Sequence, residues 1–177
     1  MTTAIEKTYK YCPRCGSEHS DPGKIPFRCT ECNFTQFFGP VAAVGALIVD
    51  ESNRVLLVRR SRDPGKGCWG LPGGFVDAGE TVEQALTREI AEETELSVES
   101  MELLMTFPNQ YNYRGVVSQV IDLFYICHVS NPDAIRLEPS ELDAFVWTVP
   151  DQEHLDHMAF DSNRRAVERW LEDRENA

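Results

Sequence analysis

The chain has 177 residues, enough for one mid-sized core and a small appendage. Its 17 Lys and Arg against 29 Asp and Glu give a formal charge of −12. That balance argues against general binding to duplex nucleic acid, which neutralises phosphates with basic side chains, but not against a small anionic partner met through a metal.

In chain order, Met1–Lys7 lacks the apolar h-region of a signal peptide, and no apolar run is long enough to span a membrane. A cytoplasmic location with no membrane partner is the expectation, and there cysteines serve as thiolates rather than disulfides. Cys12-Pro13-Arg14-Cys15 and Cys29-Thr30-Glu31-Cys32 form two C-x-x-C pairs thirteen residues apart. Each pair offers two sulfurs from one tight turn, and two turns complete a tetrahedral Zn²⁺ site. Gly16 and Asn33 follow the pairs and tolerate the positive φ such turns need. The segment 1–39 resembles a zinc ribbon. Four thiolates leave no open position for water, so the Zn²⁺ is expected to be structural. A two-disulfide knot or a thiol redox pair fits the doubled spacing less well. Cys68 and Cys127 have no such partners and read as ordinary thiols. Charges over 1–39 nearly balance, which suggests an accessory module for docking or for a homodimer.

Pro40 marks the boundary of a second domain, 40–177. Val41–Val49 reads as a buried strand, 50–53 as a turn, and Arg54–Arg60 as the returning strand. Asp63-Pro64-Gly65-Lys66-Gly67 is a loop, without the spacing of a Walker A motif. Thr81 with Gln84 is a capping box, so a helix begins near Thr81, with Val82, Leu86 and Ile90 as its apolar stripe. Strands are expected near 101–107, 117–129 and 145–148, and a helix over 162–172 with Ala166, Val167, Trp170 and Leu171 buried. The pattern is α/β or α+β with mixed sheets.

The helix after Pro72-Gly73-Gly74 carries Glu89, Glu92 and Glu93 at i, i+3 and i+4, on one face. Like charges that close repel, and folding alone does not call for them. A hard divalent cation with oxygen ligands offsets them. A solvated acidic helix is the bland alternative.

Gly74, five residues, Glu80, seven residues, Arg88-Glu89-Ile90-Ala91-Glu92-Glu93 and then Leu96 resemble the signature of the Nudix hydrolases, with Glu95 where that family usually has Gly. The resemblance covers Pro40 to the C-terminus. It implies an α-β-α sandwich and metal-dependent hydrolysis of a nucleoside diphosphate linked to another group. It also implies Glu89 and Glu93 as ligands of Mg²⁺ or Mn²⁺, Glu92 as ligand or general base, and the Gly73 carbonyl as a further ligand. Glu80 and Arg88 look like an orienting pair. Glu138 or Glu141 would be the distal base, with two surface glutamates as the alternative. Arg59, Arg60 and Lys66 are candidates to meet phosphates. Tyr111 and Tyr113 are candidates to stack on a base, although loop tyrosines also pack. Glu95 either strains the helix end by about 1 kcal/mol or lets the helix run on.

A zinc ribbon before such a domain is similar to the NADH pyrophosphatases and some FAD or ADP-ribose pyrophosphatases. The Ser-Gln-Pro-Trp of the NADH group is absent, since Val120 follows Ser118-Gln119. An ADP-ribose-like substrate leads, with an RNA cap hydrolase as a further alternative. Outside the hydrolases, a nucleotide-sensing regulator and an isomerase on the same fold compete. The intact glutamates favour the hydrolase.

Overall fold

The computed structural model describes residues 3–176. Two compact units emerge, Met1–Val41 with Pro108–Ile121, and Ala42–Phe107 with Asp122–Ala177.

The first unit opens with β1 (Thr3–Ala4) and one 3₁₀ turn (Ile5–Thr8), then pairs β2 (Phe27–Arg28) antiparallel with β3 (Thr35–Gln36). So short a hairpin has little core. Phe27 is buried in an aromatic cluster with Tyr9, Phe34 and Phe38, beside Cys12, Cys29 and Cys32. Tyr9 meets Phe38 edge-on at 4.8 Å, and His19 meets Phe27 at 4.6 Å.

The second unit is built on β4 (Val41–Ile48) and β5 (Val55–Arg60). Asp50 makes the turn between them by accepting the backbone N–H groups of Ser52 and Arg54 at 3.0 and 2.8 Å. There follow β6 (Trp69–Gly70), α1 (Val82–Thr94), β7 (Ser97–Tyr113), β8 (Val116–Ser130), β9 (Leu142–Thr148), α2 (Gln152–Asp156) and α3 (Asp161–Glu175), with the stretch of β7 and β8 from Pro108 to Ile121 belonging to the first unit. Strand β5 is central in the order β6-β5-β9, antiparallel to both, with Leu56 opposite Trp147 and Val58 opposite Phe145. In the other sheet β8 joins β4 and β7, and its residues Val116 and Val117 run parallel to Thr3 and Ala4. That second sheet thus contains a parallel pair, whereas β6-β5-β9 is antiparallel throughout.

Alternation along β4 and β5 explains the layers. Val44, Ala46, Ile48, Leu56 and Val58 pack with Ala85, Leu86 and Ile90 of α1. Leu47, Val49, Val55 and Leu57 face Ala166, Val167 and Trp170 of α3. Both strands are buried on both faces, one helix to each side, which is an α-β-α sandwich.

Strands β7 and β8 are longer than the pattern of apolar residues suggests, since polar residues and Pro108 interrupt it. Cross-strand pairing carries them through. Among the described residues β7 pairs with β8 alone, and such an edge strand tolerates a proline. Among the described residues, no helix is long and apolar enough to cross a membrane.

Candidate active site and zinc centre

The loop Leu71–Val76 lies along β4 and gains its shape from that strand. Ala46 N–H donates to the Pro72 carbonyl at 2.8 Å, Val44 N–H to Gly74 at 2.8 Å, and Val76 N–H to Ala42 at 3.0 Å. A Cβ at Gly73 would collide with the Val44 carbonyl, and one at Gly74 with the Glu89 carboxylate. Gly73 also has a φ of 148°, which L side chains rarely adopt. Gly73 meets backbone and admits only glycine, whereas a side chain at Gly74 would push the Glu89 carboxylate aside.

Helix α1 starts at a closed capping box. Thr81 Oγ1 accepts the Gln84 N–H at 3.2 Å, and Gln84 Oε1 accepts the Thr81 N–H at 2.8 Å. With its apolar stripe in the core, the helix aims its acidic face at the loop. Glu93 is 6 % exposed, and its Oε2 accepts the Gly73 N–H at 2.9 Å. Burial pushes its carboxyl up to about 8, with the charges of Glu89 and Glu141 adding to the shift. Burial also raises Glu89, against the pull of Arg88. Two neighbouring carboxyls that resist ionising are a set that a cation would favour.

Arg88 is the hub. It donates to both oxygens of Glu80 at 2.7 and 2.9 Å, to Glu89 at 2.8 Å, to Glu92 at 3.2 Å and to the Phe75 carbonyl at 3.1 Å. The bidentate bond from Arg88 holds Glu80 down to about 2. Glu80 also accepts the Asp77 N–H at 3.1 Å, so the pair ties the turn before α1 to the helix. Arg88 thus draws on Glu89 and Glu92 together, and among the described residues the α1 carboxylates do not form a cluster of donor atoms like that of the four cysteines.

The segment after β8 is fixed to the end of α1 by backbone bonds. Arg136 N–H donates to Thr94 O at 2.9 Å, and Glu138 N–H to Glu93 O at 3.0 Å. Glu138 turns its carboxylate onto Ser140, at 3.1 Å to the N–H and 2.8 Å to the hydroxyl. Glu141, in the same turn, acts on Glu89 and Glu93 through its charge and pairs with Arg62 at 2.6 Å. Of the two candidate distal acids, Glu141 is the one electrostatically coupled to the site.

The basic candidates divide. Arg59 is engaged by Asp143 at 2.6 Å. Arg60 donates to the Pro64 carbonyl at 2.6 Å and lies over the Phe160 ring at 5.2 Å, while its charge lowers Glu93. Lys66 is exposed. Tyr111 belongs to the first unit, and the side chain of Tyr113 lies outside the described residues. Helix α1 ends at Thr94, with Glu95 in the left-handed region at φ 57°, ψ 13°. The local pattern of residues held no sign of Asn163, whose Oδ1 accepts the Leu71 N–H at 3.0 Å from 92 residues away. It gave none of the Phe75 carbonyl on Arg88 either.

In the first unit the sulfurs of Cys12, Cys15, Cys29 and Cys32 all lie within 4.8 Å of one another, with Cys12–Cys32 and Cys15–Cys29 at 3.6 Å. Zn–S bonds of about 2.3 Å around a tetrahedron put sulfurs roughly 3.8 Å apart. The cage therefore fits Zn²⁺ and contains no disulfide. Gly16 and Asn33 take positive φ, 75° and 56°, and return their N–H groups to Cys12 O and Cys29 O at 2.8 and 3.1 Å. Ser17 Oγ lies 3.1 Å from Cys15 and 3.2 Å from Cys29, and its hydroxyl leads the groups that hold Cys29 down to about 6.

A family model described as NUDIX domain matches residues 39–171. The ADP-ribose pyrophosphatase of Methanocaldococcus jannaschii is 42 % identical over 86 residues, covering 48 % of this chain and 50 % of the relative. An NAD-capped RNA hydrolase NudC of Haemophilus influenzae is 28 % identical over 150 residues, 82 % of this chain and 53 % of the relative. The chain thus spans about half the length of these curated relatives. The crystallised NUDIX domain of Shewanella oneidensis NrtR, complexed with ADP ribose, superposes with a TM-score of 0.62 at 29 % identity, over 77 % of this chain and 90 % of that one.

Proposed function

The chain belongs to the NUDIX family, and from that premise we propose that it is a divalent-metal-dependent hydrolase of the pyrophosphate in a nucleoside diphosphate linked to another group, ADP-ribose or a close analogue. The observation that carries this reading is the buried Glu93 carboxylate on the Gly73 N–H, within reach of the charge of Glu89, which Arg88 holds.

Glu89, Glu93 and the Gly73 carbonyl would hold Mg²⁺ or Mn²⁺, with Glu92 at the exposed rim. When bound, the cation neutralises phosphate charge and makes a water more acidic. The chain's own contribution is orientation. Arg88 fixes Glu89 and Glu92 and, through Glu80, the turn that leads into α1. Glu141, whose charge acts on Glu89 and Glu93, would be the base that takes the proton of the attacking water. Water adds to one phosphorus and the other phosphate ester leaves, so ADP-ribose yields AMP and ribose 5-phosphate. The four cysteines would hold a structural Zn²⁺, which supplies folding energy that so small a core lacks.

The relative named ADP-ribose pyrophosphatase supports this substrate over the stretch it shares. A second reading, an NAD-containing substrate such as capped RNA, is favoured by the relative named NAD-capped RNA hydrolase, which matches over 82 % of this chain. The test is a panel of ADP-ribose, NADH, FAD and NAD-capped RNA with Mg²⁺ or Mn²⁺. Turnover of ADP-ribose at least tenfold above the rest is the expected result. Preference for capped RNA would install the second reading. Tight binding without turnover of any would make the protein a nucleotide sensor.

A further inference from the structure

Among the described residues, four hydrogen bonds hold the stretch Leu71–Gly74, where the loop crosses between β4 and α1. Pro72 O and Gly74 O accept from Ala46 and Val44 of β4, and Gly73 N–H donates to Glu93 of α1. The fourth tie comes from the opposite layer, where Asn163 in the first turn of α3 accepts the Leu71 N–H at 3.0 Å. Leu71 is 8 % exposed, so its N–H needs a protein acceptor. Pro72 has no N–H, which makes that of Leu71 the last donor before Gly73. Gly73 itself has a soft backbone, and its position depends on what clamps the chain on either side.

The segment leading into α3 braces the preceding strand as well. His157 O accepts the Trp69 N–H at 2.9 Å, and Ala159 N–H donates to Trp69 O at 2.7 Å. Asn163 continues this bracing one step further, to the residue where the strand becomes the loop.

We infer that Asn163 is a positioning residue of the active site, its side-chain oxygen setting the loop so that Gly73 and Glu93 meet; this rests on the hydrolase reading above. Asn163 touches no reacting group. It acts through Leu71 and Gly73, as the outer partners of metal ligands do.

The test uses the full chain and Mn²⁺ as the probe, with kcat and KM on ADP-ribose beside it. Asn163→Leu keeps the volume and removes the acceptor, and is expected to weaken Mn²⁺ binding by about tenfold and lower kcat with KM little changed. Asn163→Asp keeps an oxygen in place and should return both within about threefold of wild type. Val167→Ala, a cavity in the same α3 core, should lower the melting temperature with Mn²⁺ affinity intact, which separates positioning from stability. If Asn163→Leu fails to fold, Asn163→Ala must show the weakened binding instead. Wild-type Mn²⁺ affinity in the folded acceptor-less variant, or no rescue by Asp, overturns the inference. A wild-type chain that binds no Mn²⁺ overturns the hydrolase reading, and this inference falls with it.

Discussion

Replacing Glu95 by glycine should stabilise the protein and leave its turnover unchanged. Glu95 caps α1 at φ 57° and ψ 13°, donating its N–H to Ala91 O at 3.0 Å. A residue with a Cβ pays roughly 1–2 kcal/mol in that conformation. Glycine removes the strain but returns about 0.5–1 kcal/mol through the greater freedom of the unfolded chain. The carboxylate also stands at the negative end of the helix dipole, and its removal adds about 0.3 kcal/mol. Its ion pair with Arg136, 3.8 Å apart and more than half exposed, contributes close to nothing. The bonds from Arg136 N–H and Glu138 N–H to the last carbonyls of α1 are backbone bonds and survive. The net gain is about 1 kcal/mol, or a melting temperature some 2–4 °C higher. Thermal unfolding with a parallel turnover assay checks this. A lower melting temperature would show that the cap is not strained, and a hundredfold loss of turnover would give Glu95 a catalytic role.

Arg88→Ala removes the donor of every bond at the hub and should lower kcat by about 10–100-fold, as loss of an orienting partner of metal ligands does. Arg88→Lys should recover little, because one ammonium cannot reproduce a bidentate clamp on Glu80 together with bonds to Glu89, Glu92 and Phe75. Glu80 is depressed to about 2 from an ordinary 4.5. Its contribution to stability is therefore complete above pH 4.5 and is lost as pH falls towards 2. The difference in melting temperature between wild type and Glu80→Gln should close across that window, and a constant gap would refute it. Cys29→Ser should drop zinc content from about one per chain to near zero and unfold the first unit, read by metal analysis and by proteolysis of residues 1–41. Retention of zinc at full stoichiometry would contradict the four-thiolate cage.

What the sequence revealed is what depends on local spacing. The capping box at Thr81, the apolar stripe of α1 and the three glutamates on its opposite face all follow from a 3.6-residue period. The C-x-x-C knuckles declare themselves in the same way, and Gly16 and Asn33 take the positive φ their residue types allow. Glu95 shows local reading at its limit. Strain and a longer helix were both open, and the backbone bonds from Arg136 and Glu138 accompany a helix that stops at Thr94.

Long-range effects were not legible. Strands β7 and β8 reach 97–113 and 116–130, well past the apolar pattern, because pairing with each other outweighs the local turn residues. Residues 108–121, read as a loop and a strand of the second domain, group with the N-terminal segment, and Thr3 N–H donates to Gly115 O at 2.9 Å. Asn163 looks like any polar residue at a helix start until the fold sets it against Leu71. The guanidinium of Arg59, a phosphate candidate by position, is taken by Asp143 from a strand 84 residues away.

The central claim is that the α1 carboxylates gather a divalent cation for pyrophosphate hydrolysis. The most direct measurement is release of AMP from ADP-ribose against Mg²⁺ concentration, in wild type and in Glu93→Gln. The account predicts metal-dependent release that chelation abolishes and that Glu93→Gln reduces by at least about a hundredfold, as expected when a buried ligand loses its charge. Release that is independent of Mg²⁺, or that survives in Glu93→Gln, would contradict it.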